Sequence, residues 1–585
     1  EETYGEDTYL TSRLGKAAVL GFQGRKPLID NQHVISTLKH FAGHGQGEGG
    51  DNTSPVVCDE RYFRENHLYP FEIAVKEAHA RSVMPSYNEW ASIPNHANPW
   101  LLKTVLKDEW GFDGHITTDQ GGIEDLDRKH FVSENQSDAT RLALQTGNDL
   151  EIMDKKSYYR NLPELVKNGI VSEQDLDKAV RRVLLDKFRI GLFEFPYADV
   201  EKARAVTNSR QHRDLALKAA HESLVLLKNE NHLLPLDASK IKTLAVIGPN
   251  AADIHLGGYS SEPRYGISVL EGIKQFAKEK FEVTYAEGCK ITTTPGSFWD
   301  NDNTVLNSEK ADSVLIAEAA SVAKQSDMVL LVIGENESIC REGWAENHRG
   351  DRDDLSLWGR QEDLVKAVTR TGKPVIVLLL NGRPIADNLL VTSAPTLLEG
   401  WYLGQETGTA VADILFGKVN PSGKLTVTFP KNVGQLPAYY SKKPSRSRGY
   451  VNSDLMPLFP FGYGLSYTTF EYGKPQLSKT EIRRNENVKV SVSVKNSGHI
   501  KGDEIVELYI HDKVSSVTRP IMELKDFARI TLDAGESKTV EFTITPEKLQ
   551  FYNQEMKRVV EPGEFEVFVG PSSDKVAKTT FRVIE

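Results

Sequence analysis

Cysteine is nearly absent: Cys58, Cys289 and Cys340 are the only three in 585 residues. An odd, scattered set of this kind is not a disulfide framework, and no CxxC pair marks a zinc site. Long hydrophobic runs are missing as well. The longest, MVLLVIG (328–334) and VIVLLL (375–380), stop far short of the ~20 residues that cross a bilayer. Positive charge is in deficit, with 71 Lys and Arg against 82 Asp and Glu and a net charge of −11. Such a chain lacks the basic footprint that phosphate backbones require, which argues against nucleic-acid binding. No GxSxG turn, Ser/His/Asp pattern or strand-linked GxGxxG stands out. What remains is ordinary globular usage, 39% apolar and 26% charged, which excludes global disorder. The length suggests about four domains, fewer if one is a barrel. The opening EETYGEDTYLTSRLG has no Met, charged n-region or apolar h-region, so no signal peptide is visible and the start reads as mid-domain.

From residue 1 to about 155, β-like pieces (36–42, 82–89, 114–120, 149–153) alternate with amphipathic stretches such as 71–80 and 101–110. Strand then helix, repeated, predicts parallel βα units, which place their chemistry at the C-terminal ends of strands. The spacing of Leu176, Val180, Val183, Leu184 and Phe188 predicts a helix over 172–193 with Ser172 as N-cap and Gly191 as its stop. Residues 194–215 are polar and read as a linker. Continuous apolar runs at 243–249, 281–287, 327–334, 374–381 and 395–401 then predict a parallel sheet buried on both faces. Residues 431–460 have no period and read as a connecting arm. Beyond them Val488, Val490, Val492 and Val494 alternate with polar residues, and 505–512, 538–545 and 563–570 do the same, which predicts a β-sandwich.

Three constellations could carry chemistry. Lys39-His40-Phe41-Ala42-Gly43-His44-Gly45 follows a strand and offers a cation and an imidazole to hydroxyl groups; the competing reading is a buried His that ties down a loop. His40 and His44 are four apart, but no HExxH accompanies them, and the following GQGEGG lacks the Lys-Ser/Thr of a phosphate loop. Asp119 directly follows a strand and precedes Gly121 and Gly122, so it is either exposed to a ligand or caps the next turn. The acidic loop 335–352 carries Glu335, Glu337, Glu342, Glu346 and also Trp344, an aromatic face of the kind that stacks on sugars.

Taken together, EETYGED, KHFAGHG, SVMPSYNE, the Asp-x-Gly-Gly-Ile at 119–123, VSEQDLDKAVRRVLLDKFRIGLFE, the GDR-containing acidic loop and FPFGYGLSYTTF (459–470) resemble glycoside hydrolase family 3, in family order and over essentially the whole chain. The resemblance implies an α/β multidomain chain: a partial TIM-like (β/α) barrel over 1–195, an αβα sandwich over 210–430 carrying the acid/base loop, a connecting arm over 431–465, and a fibronectin-III-like β-sandwich over 466–585. It implies an exo-acting retaining β-glycosidase that hydrolyses terminal non-reducing β-D-glucosyl residues of oligosaccharides or aryl β-glycosides. A β-xylosidase of the same family and a non-catalytic sugar-binding relative are the alternatives. It matches Asp119 to the nucleophile and Glu346, five residues before Asp351, to the acid/base. Lys39 and His40 match residues that hold sugar hydroxyls, Tyr87 matches a residue beside the nucleophile, and Met84 lines the same pocket; Trp344, read from its aromatic face, is taken as a further substrate contact.

The resemblance also has departures. The family barrel has strands before EETYGED, so the chain is expected to lack the N-terminal part of its barrel, a segment needed to complete the sugar site. Gln120 stands where an aromatic commonly follows the nucleophile. Ala42 and the following GQGEGGDNTSP count against amino-sugar hydrolysis through a His-Asp dyad. No metal or cofactor is implied, and a homodimer is left open.

The chemistry asks for two carboxyl groups about 5–5.5 Å apart, one ionised and one protonated. Asp119 near Lys39 and His40 is expected to stay ionised, and Glu346 beside Trp344 is expected to be partly desolvated and so hold its proton. The two lie on different predicted domains, which suggests an interdomain cleft. The sequons at Asn52, Asn135 and Asn336 lean toward a bacterial source, since a glycan on Asn336 would crowd the acidic loop. A periplasmic or secreted location is expected, with the cytoplasm as the alternative.

Overall fold

Thr37–Phe41, Ser82–Pro85 and His115–Ile116 pair in parallel, in that spatial order, and Leu150 extends the set by a parallel bridge to Thr117. This is the sheet of the first unit in the computed structural model of the protein. The structure describes residues 3–26, 28–153, 156–260, 265–293, 303–350 and 352–585. The chain divides into two units, Asp7–Val200 and a second made of Glu1–Glu6 with Glu201–Glu585.

In the first unit the apolar stretches become the helices Tyr69–Ala78 and Trp100–Glu109, the latter in the wide π form. Leu101, Leu102, Val105 and Leu106 are fully buried against Phe41, Phe63, Val83 and Ile116. Ion pairs tie the strand ends together. Asp149 accepts from Ile116 N (2.9 Å) and from Arg182 Nε (2.9 Å). The predicted helix forms over Glu173–Arg189, with the Ser172 hydroxyl accepting from Asp175 N (3.1 Å). Its apolar stripe departs from expectation: Val180, Leu184 and Phe188 are exposed, Phe188 by 58%. The helix is held through Ala179 and the buried Asp186, whose carboxylate meets Arg81 and His115. Leu176 packs against the cluster of Leu144, Leu162, Leu165 and Val171, and the Phe188 ring lies 4.4 Å from Phe193, so the periodicity is real but only part of the stripe is buried. The segment 194–215, read as a linker, is largely helical over Val200–Val206 and from Arg210 onward, with Ser209 as a cap. Its polar composition suits exposed helices as well as coil.

The second unit contains a six-stranded sheet in the order 225–229, 396–399, 375–380, 328–334, 243–247, 282–286. The five predicted strands are parallel. An antiparallel edge strand, Val225–Asn229, was not anticipated. Met328–Gly334 and Val375–Leu380 are buried at every position because helices cover both faces. Alternation then splits one strand between two cores: Leu330 and Val332 pack with Val269, Ile273, Val411 and Ile414, whereas Val329, Leu331 and Ile333 pack with Ile316, Leu364 and Val368. The chain start belongs to this unit, since the Glu6 carboxylate accepts from Thr428 N (2.7 Å), Thr428 Oγ1 (2.9 Å) and Tyr440 N (3.0 Å).

In the C-terminal β-sandwich Val488, Val490, Val492 and Val494 are buried and pair with Ser537–Ile544. Gly502–Asp512 does not alternate as expected, because Val506 through Ile510 are all buried. The arm covers its outer face: the Tyr440 ring stacks on Phe461 (4.5 Å) and meets Tyr509 edge-on (5.5 Å). The phenol of Tyr509 donates to Glu507.

One buried carboxyl is expected to control stability against pH. Glu399, at the end of its strand, is inaccessible to solvent and accepts from Trp401 N (2.8 Å) and Asn381 Nδ2 (3.3 Å). Burial pushes its pKa up to about 8, with nearby Glu335 adding to the rise. A raised carboxyl binds its proton in the fold while the unfolded chain has lost it. The stabilisation is therefore complete below the unfolded value near 4.5 and is lost as pH rises toward 8. Glu399→Gln should flatten that decline, gaining a few kcal/mol relative to the parent at pH 9. Melting curves from pH 5 to 9 test this; parallel curves for the two proteins would contradict it.

Candidate active site

In the barrel-like unit Asp119 lies just past the His115–Ile116 strand, at the same end of the sheet as His40 and the segment after Ser82–Pro85. His40 Nε2 is 3.1 Å from Asp119 Oδ2, and Gln120 N donates to Oδ1 at 2.8 Å. The His40 ring lies 4.5 Å from that of His44. Burial works against the charge on Asp119, but the His40 contact, the Gln120 N–H and Tyr87 together hold its pKa below the usual carboxylate value. Asp119 N donates to His96 Nε2 (3.3 Å). That nitrogen therefore carries a lone pair, and complete burial pushes the His96 pKa down to about 4, so the ring is neutral there.

The two glycines after Asp119 have separate reasons. Gly121 has φ +76°, and a Cβ on Gly122 would lie 2.3 Å from His96 Nε2. Tyr87 donates from its hydroxyl to Gln120 O (2.7 Å), and its own carbonyl lies 3.0 Å from His130 Nε2. Met84 is half-buried on the middle strand, and Lys39 is exposed on the first. The result is an ionised carboxylate on a rigid strand end, flanked by an imidazole and a phenol, which suits a nucleophile or an anion that stabilises developing positive charge.

In the sandwich unit the acidic loop follows Met328–Gly334. Three of its glutamates are engaged. Glu335 is buried against Arg352 Nη1 (3.0 Å) and Arg383 Nε (3.4 Å). Glu337 accepts from Leu256 N (3.1 Å) and sits 2.9 Å from His255 Nδ1. Glu342 accepts from the Tyr259 hydroxyl (2.7 Å). Glu346 has no hydrogen bond or ion pair with any described residue of the loop or beyond it, and is exposed. Trp344 does not bury it, contrary to expectation. The indole stacks on the His348 ring (centroids 3.2 Å apart), because His348 N bonds Ala345 O (2.9 Å) and turns that ring back under it. Asp351 lies outside the described residues.

Residues 1–185 match the glycosyl hydrolase family 3 N-terminal domain, 224–467 the glycosyl hydrolase family 3 C-terminal domain, and 504–573 a fibronectin type III-like domain. The chain belongs to glycosyl hydrolase family 3. Among its family 3 relatives, a β-xylosidase of Formosa agariphila is 44% identical over 98% of this chain and 79% of its own length. A periplasmic β-glucosidase of Salmonella typhimurium is 38% identical over 100% and 78%. A β-glucosidase structure from Erythrobacter marinus superposes with a TM-score of 0.96 at 40% identity, covering 99% of this chain and 78% of that one. One from Listeria innocua in complex with glucose gives 0.90 at 34%, covering 100% and 79%. The chain is thus a family 3 glycoside hydrolase with a barrel-like N-terminal domain, an αβα sandwich and a fibronectin-III-like domain.

The sequence reading missed His96 and His130. His96 sits in the single 3-10 turn Asn95–Ala97 and His130 in a turn after Asp125–Arg128, and nothing local announces that either ring reaches the strand end. Asn95 was missed as well, although it braces this end of the sheet by donating to Ala42 O (2.9 Å) and Ser86 Oγ (2.8 Å).

Proposed function

We propose that this family 3 enzyme is an exo-acting retaining β-glycosidase that removes terminal non-reducing β-D-glucosyl residues from oligosaccharides and aryl β-glycosides. Asp119 attacks the anomeric carbon as Glu346 gives its proton to the departing glycosidic oxygen, leaving a glycosyl ester on Asp119. Glu346, now a carboxylate, takes a proton from water; the water oxygen attacks the anomeric carbon and Asp119 leaves. The observation that carries the reading is the Asp119 carboxylate held ionised between His40, Gln120 N–H and Tyr87. Glu346 is the one loop glutamate without a described partner, which leaves it available for the acid/base role. Lys39 and His40 grip hydroxyls of the sugar, Tyr87 and Met84 line its pocket, and Trp344 offers an aromatic face.

Glucosyl preference is supported by the Listeria innocua enzyme, solved with glucose and, as a mutant, with laminaribiose. A xylosyl preference is the second reading, favoured by the 44% identity to the Formosa β-xylosidase. By analogy with the Salmonella relative the enzyme works in the periplasm or outside the cell. Initial rates on p-nitrophenyl β-glucoside and β-xyloside decide between the sugars; activity on neither overturns the proposal.

Lys39→Ala and His40→Ala should each lower both affinity and turnover, by about tenfold to a thousandfold, because hydroxyl contacts that strengthen in the transition state act on rate as well as binding. His40→Ala should cost more, since it also removes the largest of the contacts that lower the Asp119 pKa. Unchanged kcat in both variants would make the two side chains purely structural.

A further inference from the structure

The acidic loop is built as a hairpin, and its neck is charged. Glu335 opens it and Arg352 closes it, and their side chains meet at 3.0 Å with 0% and 4% exposure. Arg383, from the neighbouring strand end, joins the same carboxylate at 3.4 Å and donates to Ile339 O at 2.8 Å. The Arg352 guanidinium also lies over the Trp358 ring at 5.0 Å, which fixes its plane. Midway along the hairpin Gly350 abuts Arg341, where an added Cβ would meet Arg341 O at 2.6 Å. At the tip Ala345 bridges His348, and Glu346 occupies the turn.

We propose that the Glu335–Arg352 pair is a clasp that positions Glu346 for proton transfer by closing the hairpin that carries it. The proposal rests on the reading of Glu346 as the acid/base. Stability alone gives little reason for such a pair. Removing two charges from water costs about as much as their attraction returns, and apolar residues of the same volume usually serve as well. A buried ion pair does impose one register, because any other arrangement of the hairpin leaves the Arg352 guanidinium without its counter-charge and Glu335 with Arg383 alone. Anchoring both ends of the loop to the rigid ends of the 328–334 and 375–380 strands transmits that register to Glu346, eleven residues after Glu335 and six before Arg352. Proton transfer is sensitive to such placement, since a donor displaced by an ångström loses most of its advantage. Glu335 and Arg352 are therefore positioning residues that act through Glu346.

The test compares kcat/KM on two substrates, 2,4-dinitrophenyl and phenyl β-glucoside, for the parent, Glu335→Gln, Arg352→Lys and Glu346→Ala. The dinitrophenolate leaves without a proton, whereas phenolate needs one. Glu335→Gln should lose about tenfold to a hundredfold on the phenyl glucoside, part of what general acid catalysis supplies, and stay within about twofold on the dinitrophenyl glucoside. Arg352→Lys keeps the charge but not the planar fork, so it should show the same selectivity at smaller size. It also provides the reading if Glu335→Gln does not fold. Adding Glu335→Gln to Glu346→Ala should bring no further selectivity, because the clasp then holds nothing that transfers a proton. Equal losses on both substrates, or none on either, in folded clasp variants alongside a selective Glu346→Ala overturn the clasp and leave the acid/base reading intact. An unselective Glu346→Ala overturns the acid/base reading, and the clasp with it.

Discussion

Asp119→Asn should lower kcat by about 10³-fold or more on every substrate while leaving the fold unchanged. The amide is isosteric, so it can still accept from Gln120 N and sit beside His40, but it cannot form the glycosyl ester or stabilise positive charge at the anomeric carbon. Loss on good and poor leaving groups alike is the signature, because the nucleophile acts in both steps. A 2-fluoro glycoside, which slows the second step more than the first, should label Asp119 in the parent and nothing in the variant. Recovery of label on another carboxylate would end the assignment. The pH profile offers an independent check. Because His40 and the Gln120 N–H hold the Asp119 pKa below its ordinary 3.8, protonation of this group should limit kcat/KM only on the acid side of that value. An acid limb set by Asp119 at or above pH 5 would contradict the geometry.

Glu346→Ala should behave differently and nearly as severely. Cellobiose-like substrates, whose leaving group is a poor alkoxide, should lose about 10²- to 10⁴-fold, the range that general acid catalysis supplies. Dinitrophenyl glycosides should still glycosylate Asp119 at close to the parent rate. Water then lacks its base, so the glycosyl-enzyme accumulates and steady-state turnover falls. Azide needs no base and should restore turnover, giving a β-glycosyl azide by attack on the face that water uses. The competing candidates are weakened by their partners: Glu337 is committed to His255 and Leu256 N, and Glu342 receives the Tyr259 hydroxyl. If Glu342→Ala shows the selective pattern and azide rescue while Glu346→Ala does not, the acid/base is Glu342.

By itself the sequence determined whatever depends on near neighbours or on strong periodicity. Continuous Val, Ile and Leu at 328–334 and 375–380 can only be satisfied by strands covered on both faces, and they are the centre of the six-stranded sheet. The alternation from Val488 to Val494 specifies a strand with one buried face, and the Ser172 cap opens its helix at the residue the pattern marks. Asp119 and Lys39-His40 were readable as strand-end residues for the same reason, since a βα pattern says where strands stop. Tertiary structure alone decided the rest, because burial and charge pairing join residues far apart in the chain. No local signal announces that His96 stands behind Asp119, or that Glu335 meets Arg352 at the neck of the acidic hairpin. The protonation of Glu399 depends on complete burial at the end of its strand, a property of everything packed around it. The Trp344 ring was legible as an aromatic among carboxylates, but its stacking on His348 rather than on Glu346 was set by a four-residue turn. The apolar stripe of Glu173–Arg189 makes the same point in reverse: periodicity reports which face a helix offers for burial, and only the fold shows whether anything covers it.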